Sequence, residues 1–156
     1  MGRKIKRIPL IVQEGNLKSM FPGSNVHRTR DHELTWVHTL CPSPIGDEYK
    51  VKLVYKINCG VKFFVSEPKL QLAEGKTTLP HVYSTPKQQL CLYYPDGIEW
   101  NVGKLYTQTI IPWASEWLYH YEIWVGTGIW HGGGTKHDVE KAALPEISKH
   151  NSNGNL

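Results

Sequence analysis

Residues 49–57 alternate apolar with basic side chains: Tyr49-Lys50-Val51-Lys52-Leu53-Val54-Tyr55-Lys56-Ile57. Successive side chains of a strand point to opposite faces, so this order predicts a strand with one face in a core and one in water. A turn signal, Asn58-Cys59-Gly60, follows it, and then a second β-rich run, Val61-Lys62-Phe63-Phe64-Val65, which Glu67-Pro68 closes. Upstream, Leu34-Thr35-Trp36-Val37-His38-Thr39-Leu40 has the β-branched and aromatic content of a strand, broken by Pro42-Ser43-Pro44. A short fourth strand is expected at Lys69-Leu70-Gln71-Leu72. Short connections between these runs predict a four-stranded antiparallel meander. Pro22-Gly23-Ser24-Asn25 reads as a turn. Before it, residues 8–21 carry scattered apolar side chains, and Gly15 interrupts a helical reading, leaving a short or irregular helix.

The second half has a different period. Trp113, Trp117, Tyr121 and Trp124 recur at intervals of three and four, which predicts a helix over residues 111–125 with the aromatic stripe mostly in the core. Thr109 is placed to cap it, and Pro112 fits a first turn. Gly126, Gly128 and the run Gly132-Gly133-Gly134 end the regular structure. The fold class expected is therefore α+β, a four-stranded meander backed by one main helix. A single domain is expected over residues 1–140, with a flexible tail over 141–156 that ends in Ser-Asn-Gly-Asn-Leu.

Composition narrows the function classes. A chain of 156 residues with 40% hydrophobic content can bury a core without disulfides or metal. No run of about 18 apolar residues is present, so no membrane span is expected. The basic start lacks the apolar segment of a secretory signal. Three cysteines are too few, and odd in number, for a secreted disulfide framework, which favours a cytoplasmic protein. Arg3, Lys4, Lys6 and Arg7 supply much of the net charge of +4. A short basic terminus of this kind is more often solvated than a nucleic-acid arm, so nucleic acid is not an expected partner. Six Trp and eight Tyr, concentrated after residue 93, suggest an aromatic-rich layer.

The chemistry concentrates at Leu79-Pro80-His81-Val82-Tyr83-Ser84-Thr85-Pro86-Lys87-Gln88-Gln89-Leu90-Cys91-Leu92, followed by Tyr93-Tyr94-Pro95-Asp96-Gly97 and Trp100. A thiol beside a polar loop and a histidine is a candidate nucleophile. The commoner fate of a free cysteine is a small apolar residue in a buried strand. The order of the pieces resembles the active-site region of ubiquitin-conjugating (E2) enzymes. In that family a His-Pro-Asn turn leads through a loop to a cysteine, then a tryptophan, then a helix behind the site. His81 stands ten residues before Cys91, and Trp100 matches the downstream tryptophan. Aligned without a gap, Val82 and Tyr83 replace the proline and asparagine; with a small insertion, Pro80-His81 replaces Pro-Asn. Either way the asparagine that supports the oxyanion in that family is missing. The likeness spans residues 34–125. The runs Thr109-Ile110-Ile111-Pro112-Trp113-Ala114-Ser115-Glu116-Trp117-Leu118 and Trp130-His131-Gly132-Gly133-Gly134 are similar to the bacterial E2-like proteins of antiphage operons that encode cyclic-oligonucleotide synthases.

The resemblance implies a ubiquitin-conjugating-like fold with reduced C-terminal helices, and thioester transfer through Cys91. It implies that His81 serves as donor or base, that Tyr83 or Tyr93 can donate to the oxyanion, and that Asp96 orients the incoming amine. The implied partner is a nucleotidyltransferase of the cGAS/DncV type, attached through its C-terminal glycine. An E1-like activating protein is a further candidate partner, since no glycine-rich nucleotide loop in a strand–helix context occurs here. The competing expectation is a non-catalytic E2-like module that scaffolds the nucleotidyltransferase, with Cys91 merely buried. His131-Gly132-Gly133-Gly134 also matches a lipase oxyanion loop, but no Gly-x-Ser-x-Gly elbow accompanies it; a flexible loop bordering the Cys91 site is the better expectation. His131 and His137 lack common zinc spacing, Cys-x-x-Cys is absent, and neither a metal nor another cofactor is expected. Cys41 and Cys59 are expected to be structural.

Overall fold

A computed structural model describes residues 4–133. They form helix α1 (Leu10–Met20), strands β1 (Asn25–Thr29), β2 (Glu33–Leu40), β3 (Tyr49–Lys56), β4 (Gly60–Glu67), β5 (Val82–Ser84) and β6 (Gln89–Leu90), a 3₁₀ turn (Tyr106–Gln108), and helix α2 (Ile110–Thr127). The class is α+β. The boundary expected at residue 140 and the tail over 141–156 lie outside the described residues.

The alternating run becomes β3 in the expected register. Tyr49, Val51, Leu53 and Tyr55 are at most 2% exposed, while Lys50, Lys52 and Lys56 stand in solvent. Burying each such apolar side chain stabilises the fold by roughly 1.5–3 kcal/mol. The pairings β1–β2, β2–β3 and β3–β4 are antiparallel and sequential, so the meander is present.

The sheet has six strands, not four, in the order β1-β2-β3-β4-β6-β5. Two differences account for this. The strand expected at residues 69–72 is absent, because β6 takes the edge of β4 through Phe63↔Leu90 and Phe64↔Gln89. Side chains satisfy the displaced backbone instead: the Leu70 amide donates to Gln88 Oε1, and the Gln71 amide donates to the Tyr121 hydroxyl at 2.7 Å. Strands β1, β5 and β6 are the additions. β1 is mostly polar and partly exposed, and the other two span three and two residues, so none carries a hydrophobic period to read.

Helix α1 is regular despite Gly15. Leu10, Gln13 and Leu17 are buried, and a Cβ at Gly15 would meet nothing within 4 Å. Tertiary contacts compensate for the weak propensity. Gln13 Nε2 donates to the Lys104 carbonyl at 3.0 Å, and Gln13 Oε1 accepts from the Tyr106 amide at 3.1 Å. At the helix start, Asp31 Oδ1 accepts from the Leu10 amide at 2.9 Å, satisfying a donor that no residue of the helix can satisfy. Asp31 also pairs with Arg7, so this one member of the basic N-terminal run is docked, while Lys4 and Lys6 stand in solvent.

Helix α2 matches the expected helix, with one residue more at its start and two at its end. Ile110, Ala114, Trp117, Leu118, Tyr121 and Trp124 are all at most 5% exposed, and Trp113 is half-buried. The expected Thr109 side-chain cap is absent. The Thr109 hydroxyl donates back to the Leu105 carbonyl at 2.8 Å, because the preceding 3₁₀ turn presents that acceptor first. Gly128 ends the helix in the left-handed region, φ 75°, where a side chain would be strained. Glu122 fixes the helix to the sheet: its Oε2 accepts from the Tyr49 hydroxyl at 2.9 Å and from the Asp47 amide at 2.8 Å.

Candidate active site

The separation between His81 and Cys91 is explained by a hairpin. β5 and β6 pair through Val82↔Leu90, and one step further the Cys91 amide donates to the His81 carbonyl at 3.0 Å. The two residues thus face each other just beyond the end of the pairing. His81 has φ 50°, a region that a non-glycine residue occupies at a cost of order 1–3 kcal/mol. Trp117 reaches from α2 to hold this turn, with its Nε1 donating to the Pro80 carbonyl at 3.1 Å. Cys91 is half-buried, and its Sγ donates to the Tyr93 carbonyl at 3.7 Å.

Cys91 and His81 open onto one cleft of about 410 Å³. Helix α2 forms its long wall with Trp113, Glu116, Trp117 and His120, an i, i+3, i+4, i+7 series. Glu99 comes from the loop after the cysteine, and Trp130 and Gly133 from the segment after α2. The Trp130 ring lies 5.2 Å from His81, 5.8 Å from Trp117 and 5.7 Å from His120, centroid to centroid. Gly132 permits that closeness, since a Cβ there would lie 2.8 Å from His120 Cδ2 and 2.9 Å from the Trp130 ring. His120 Nδ1 and Trp130 Nε1 are enclosed without a hydrogen-bond partner among the described residues.

The other expected site residues lie elsewhere. Tyr83 is 57% exposed and lines a separate shallow depression that shares only His81 with the cleft. Asp96 is exposed and does not line the cleft; its Oδ1 accepts from the Ile98 amide at 2.8 Å, shaping the turn. Tyr93 packs on Trp100, 5.2 Å away, and on Trp113. Burial pushes its phenol above the ordinary value and the neighbouring Cys91 adds to the shift, so Tyr93 is a protonated side chain beside the cysteine but outside the cleft lining. Trp100 is 5% exposed, a core residue behind the loop.

Sequence reading missed Glu99, Glu116 and His120. Glu116 and His120 were legible in principle, as an i, i+4 pair beside Trp113 and Trp117 on the helix. Glu99 carries no such signal, since only the path of the loop brings it in. The glycine loop does border the site, through Gly133. Among the described residues, no group of three His, Cys, Asp or Glu side chains could hold a metal ion, and no helix is long and apolar enough to cross a membrane.

What the cleft offers is a half-buried thiol, an imidazole across a hairpin from it, two carboxylates and an indole wall. A thiol so placed can take up an acyl group, and an imidazole can ordinarily exchange a proton near neutrality. A comparison with curated proteins gives no significant match. The family model for the type II CBASS E2 protein matches residues 13–138, from within α1 to beyond the cleft, and the chain therefore belongs to that family, an E2-like protein of CBASS antiphage operons.

Proposed function

We propose that the protein is a conjugating enzyme of ubiquitin-conjugating-like fold that carries an acyl group on Cys91. The observation that carries this reading is the pairing of the Cys91 amide with the His81 carbonyl at the mouth of the cleft, within a chain of the CBASS E2 family. The Cys91 thiolate attacks an activated glycine carbonyl, the carbon–sulfur bond forms, and the previous leaving group departs. An amine then attacks the thioester, the carbon–nitrogen bond forms, and the Cys91 sulfur leaves. The donor is the C-terminal glycine of a cGAS/DncV-type nucleotidyltransferase, activated beforehand by an E1-like protein, and the setting is the cytoplasm. His81 is the group that donates to the tetrahedral oxygen or accepts the amine proton, in the absence of the family's asparagine.

The test uses a synthetic peptide thioester ending in glycine, which bypasses activation. Wild type should take the acyl group onto Cys91 as a thioester that hydroxylamine releases. Cys91→Ser should trap a more durable ester, and Cys91→Ala should carry nothing at that position while melting like wild type. An adduct formed by Cys91→Ala at the wild-type rate would remove Cys91 from the chemistry. A wild-type chain that binds the nucleotidyltransferase C-terminus yet never acylates would be a scaffold.

A further inference from the structure

To donate to the oxyanion or to take a proton, His81 must offer its imidazole to the Cys91 thioester in a defined orientation. Two bonds hold its turn, from the Cys91 amide to the His81 carbonyl and from Trp117 Nε1 to the Pro80 carbonyl. Both fix the backbone and do not act on the ring. A side chain on the segment after α2 does. The Trp130 indole lies 5.2 Å from the imidazole, centroid to centroid, at an interplanar angle of 41°. On its other sides stand Trp117 and His120 of α2, 5.8 and 5.7 Å away. Trp117 is in turn stacked on Tyr121 at an angle of 4°, and both are buried. The indole is thus lodged between a rigid helix and His81.

The chain is shaped to put it there. Gly128 turns the backbone away from α2 in the left-handed region, on the way to Trp130. Gly132, just after it, leaves no room for a side chain, since a Cβ there would lie 2.8 Å from His120 Cδ2 and 2.9 Å from the Trp130 ring. Trp130 itself is half-buried, packs on the core from outside and lines the cleft. Aromatic rings at this distance attract each other. An indole backed by α2 therefore restricts the rotation of the imidazole before the reaction, and that ordering no longer adds to the barrier.

We propose that Trp130 is a positioning residue for transfer from Cys91, holding the His81 imidazole in the orientation in which it serves the thioester. The indole acts through His81, and no bond to it forms or breaks. This rests on the conjugating reading above and on the part that His81 takes in it.

The experiment charges Cys91 with the glycine-ended peptide thioester and follows single-turnover discharge to Nα-acetyl-lysine amide over a range of amine concentrations. Trp130→Leu should lower the limiting rate about ten- to a hundredfold, the size expected when a reacting group is misplaced by about 1 Å. The amine concentration for half-maximal discharge should stay within about twofold, because the lost contact matters only in the transition state. Trp130→Phe keeps a ring in place and should recover most of the rate. Gly132→Ala keeps the indole but displaces it, and should slow transfer in the same sense; it carries the test if Trp130→Leu folds poorly. Adding Trp130→Leu to His81→Ala should slow transfer no further than His81→Ala alone, since the indole has no other route to the chemistry. In NMR spectra of the uncharged protein, the His81 ring protons should lose their ring-current shift in Trp130→Leu.

Unchanged limiting rates in Trp130→Leu and Gly132→Ala would overturn the assignment. So would a faster rate, which would make the indole an obstruction, or additive losses in the double variant, which would mean that it acts independently of His81. Transfer by His81→Ala at the wild-type rate would remove His81 from the chemistry and this inference with it. Absence of any Cys91 thioester in wild type would instead sink the conjugating reading itself.

Discussion

On the outer face of the sheet, Lys52, Lys56 and Lys62 surround half-buried Val54 and Phe64, with Cys59 exposed at the edge. In the cleft, Glu99 and Glu116 line the same cavity as half-buried Cys91. Both regions set charge around an apolar centre, but they arise differently. The outer face comes from two adjacent strands, with Lys52 opposite Phe64 and Val54 opposite Lys62, so one local alternation decides it. The cleft draws on the β5–β6 hairpin, the loop through Glu99, one side of α2 and the segment after α2. A surface built from a local period tolerates single changes. A site assembled from separate segments depends on whatever holds those segments in place.

The comparison predicts a steep contrast in stability. Trp117 is buried, stacks on Tyr121 with rings 5.6 Å apart and holds the Pro80 turn, so Trp117→Ala should cost about 3–5 kcal/mol in urea unfolding. Val54→Ala on the outer face should cost about 1 kcal/mol, the transfer term of a half-buried side chain. Similar losses at both positions would end the distinction.

His81→Ala tests the cleft without emptying the core. If His81 donates to the oxyanion or takes the amine proton, transfer from Cys91 should slow by about 10²–10³. The inflection of the single-turnover rate between pH 5.5 and 8.5 should vanish with it. If His81 only pins the loop, the melting temperature falls instead and the profile keeps its shape. The neighbouring outer face gives a control, since Lys62→Gln should leave both rate and profile as they are.

A smaller effect separates both regions from the start of α1. Arg7, and after it the Leu10 amide, hold the Asp31 carboxyl at about 2 rather than 3.8. A carboxyl whose value is depressed on folding adds stability above its unfolded value, and that stability is lost as the pH falls from 4 toward 2. Asp31 is half exposed in its side chain, so screening keeps the effect to about 1 kcal/mol or less. Asp31→Asn should be destabilised by that amount at pH 7, and the gap should close as the pH falls through about 2, the folded value, toward 1, with transfer from Cys91 unaffected. A gap that persists undiminished below that value would mean that packing at α1, rather than the carboxylate, is responsible.

The smallest effect belongs to the outer face itself. Lys52→Gln or Lys62→Gln should change unfolding free energy by less than about 0.5 kcal/mol, because neither lysine enters an ion pair among the described residues. A loss above 1 kcal/mol would show that the lysine stems pack on Phe64 and Val54 as a structural cover.

The sequence by itself determined the elements that carry a period. The alternation at Tyr49, Val51, Leu53 and Tyr55 fixed the inner face of β3, and the spacing of Trp117, Tyr121 and Trp124 fixed the buried face of α2, because solvent exclusion acts on every member of such a pattern. It also brought Cys91 and His81 to attention, through residue types that attract chemical interest and an order of motifs resembling a known family. Only the tertiary structure decided the rest. Residues 69–72 have the hydrophobicity of a strand, yet β6 occupies the edge they would need, and edge occupancy is a competition between distant segments. Helix α1 forms in spite of Gly15 because Gln13 bonds to Lys104 and Tyr106, far along the chain. Asp96 and Glu99 are three residues apart in one loop, and the path of the backbone alone brings Glu99 to the cleft and leaves Asp96 in solvent. Local periods are set by burial along one element, whereas a site is set by where separate elements meet.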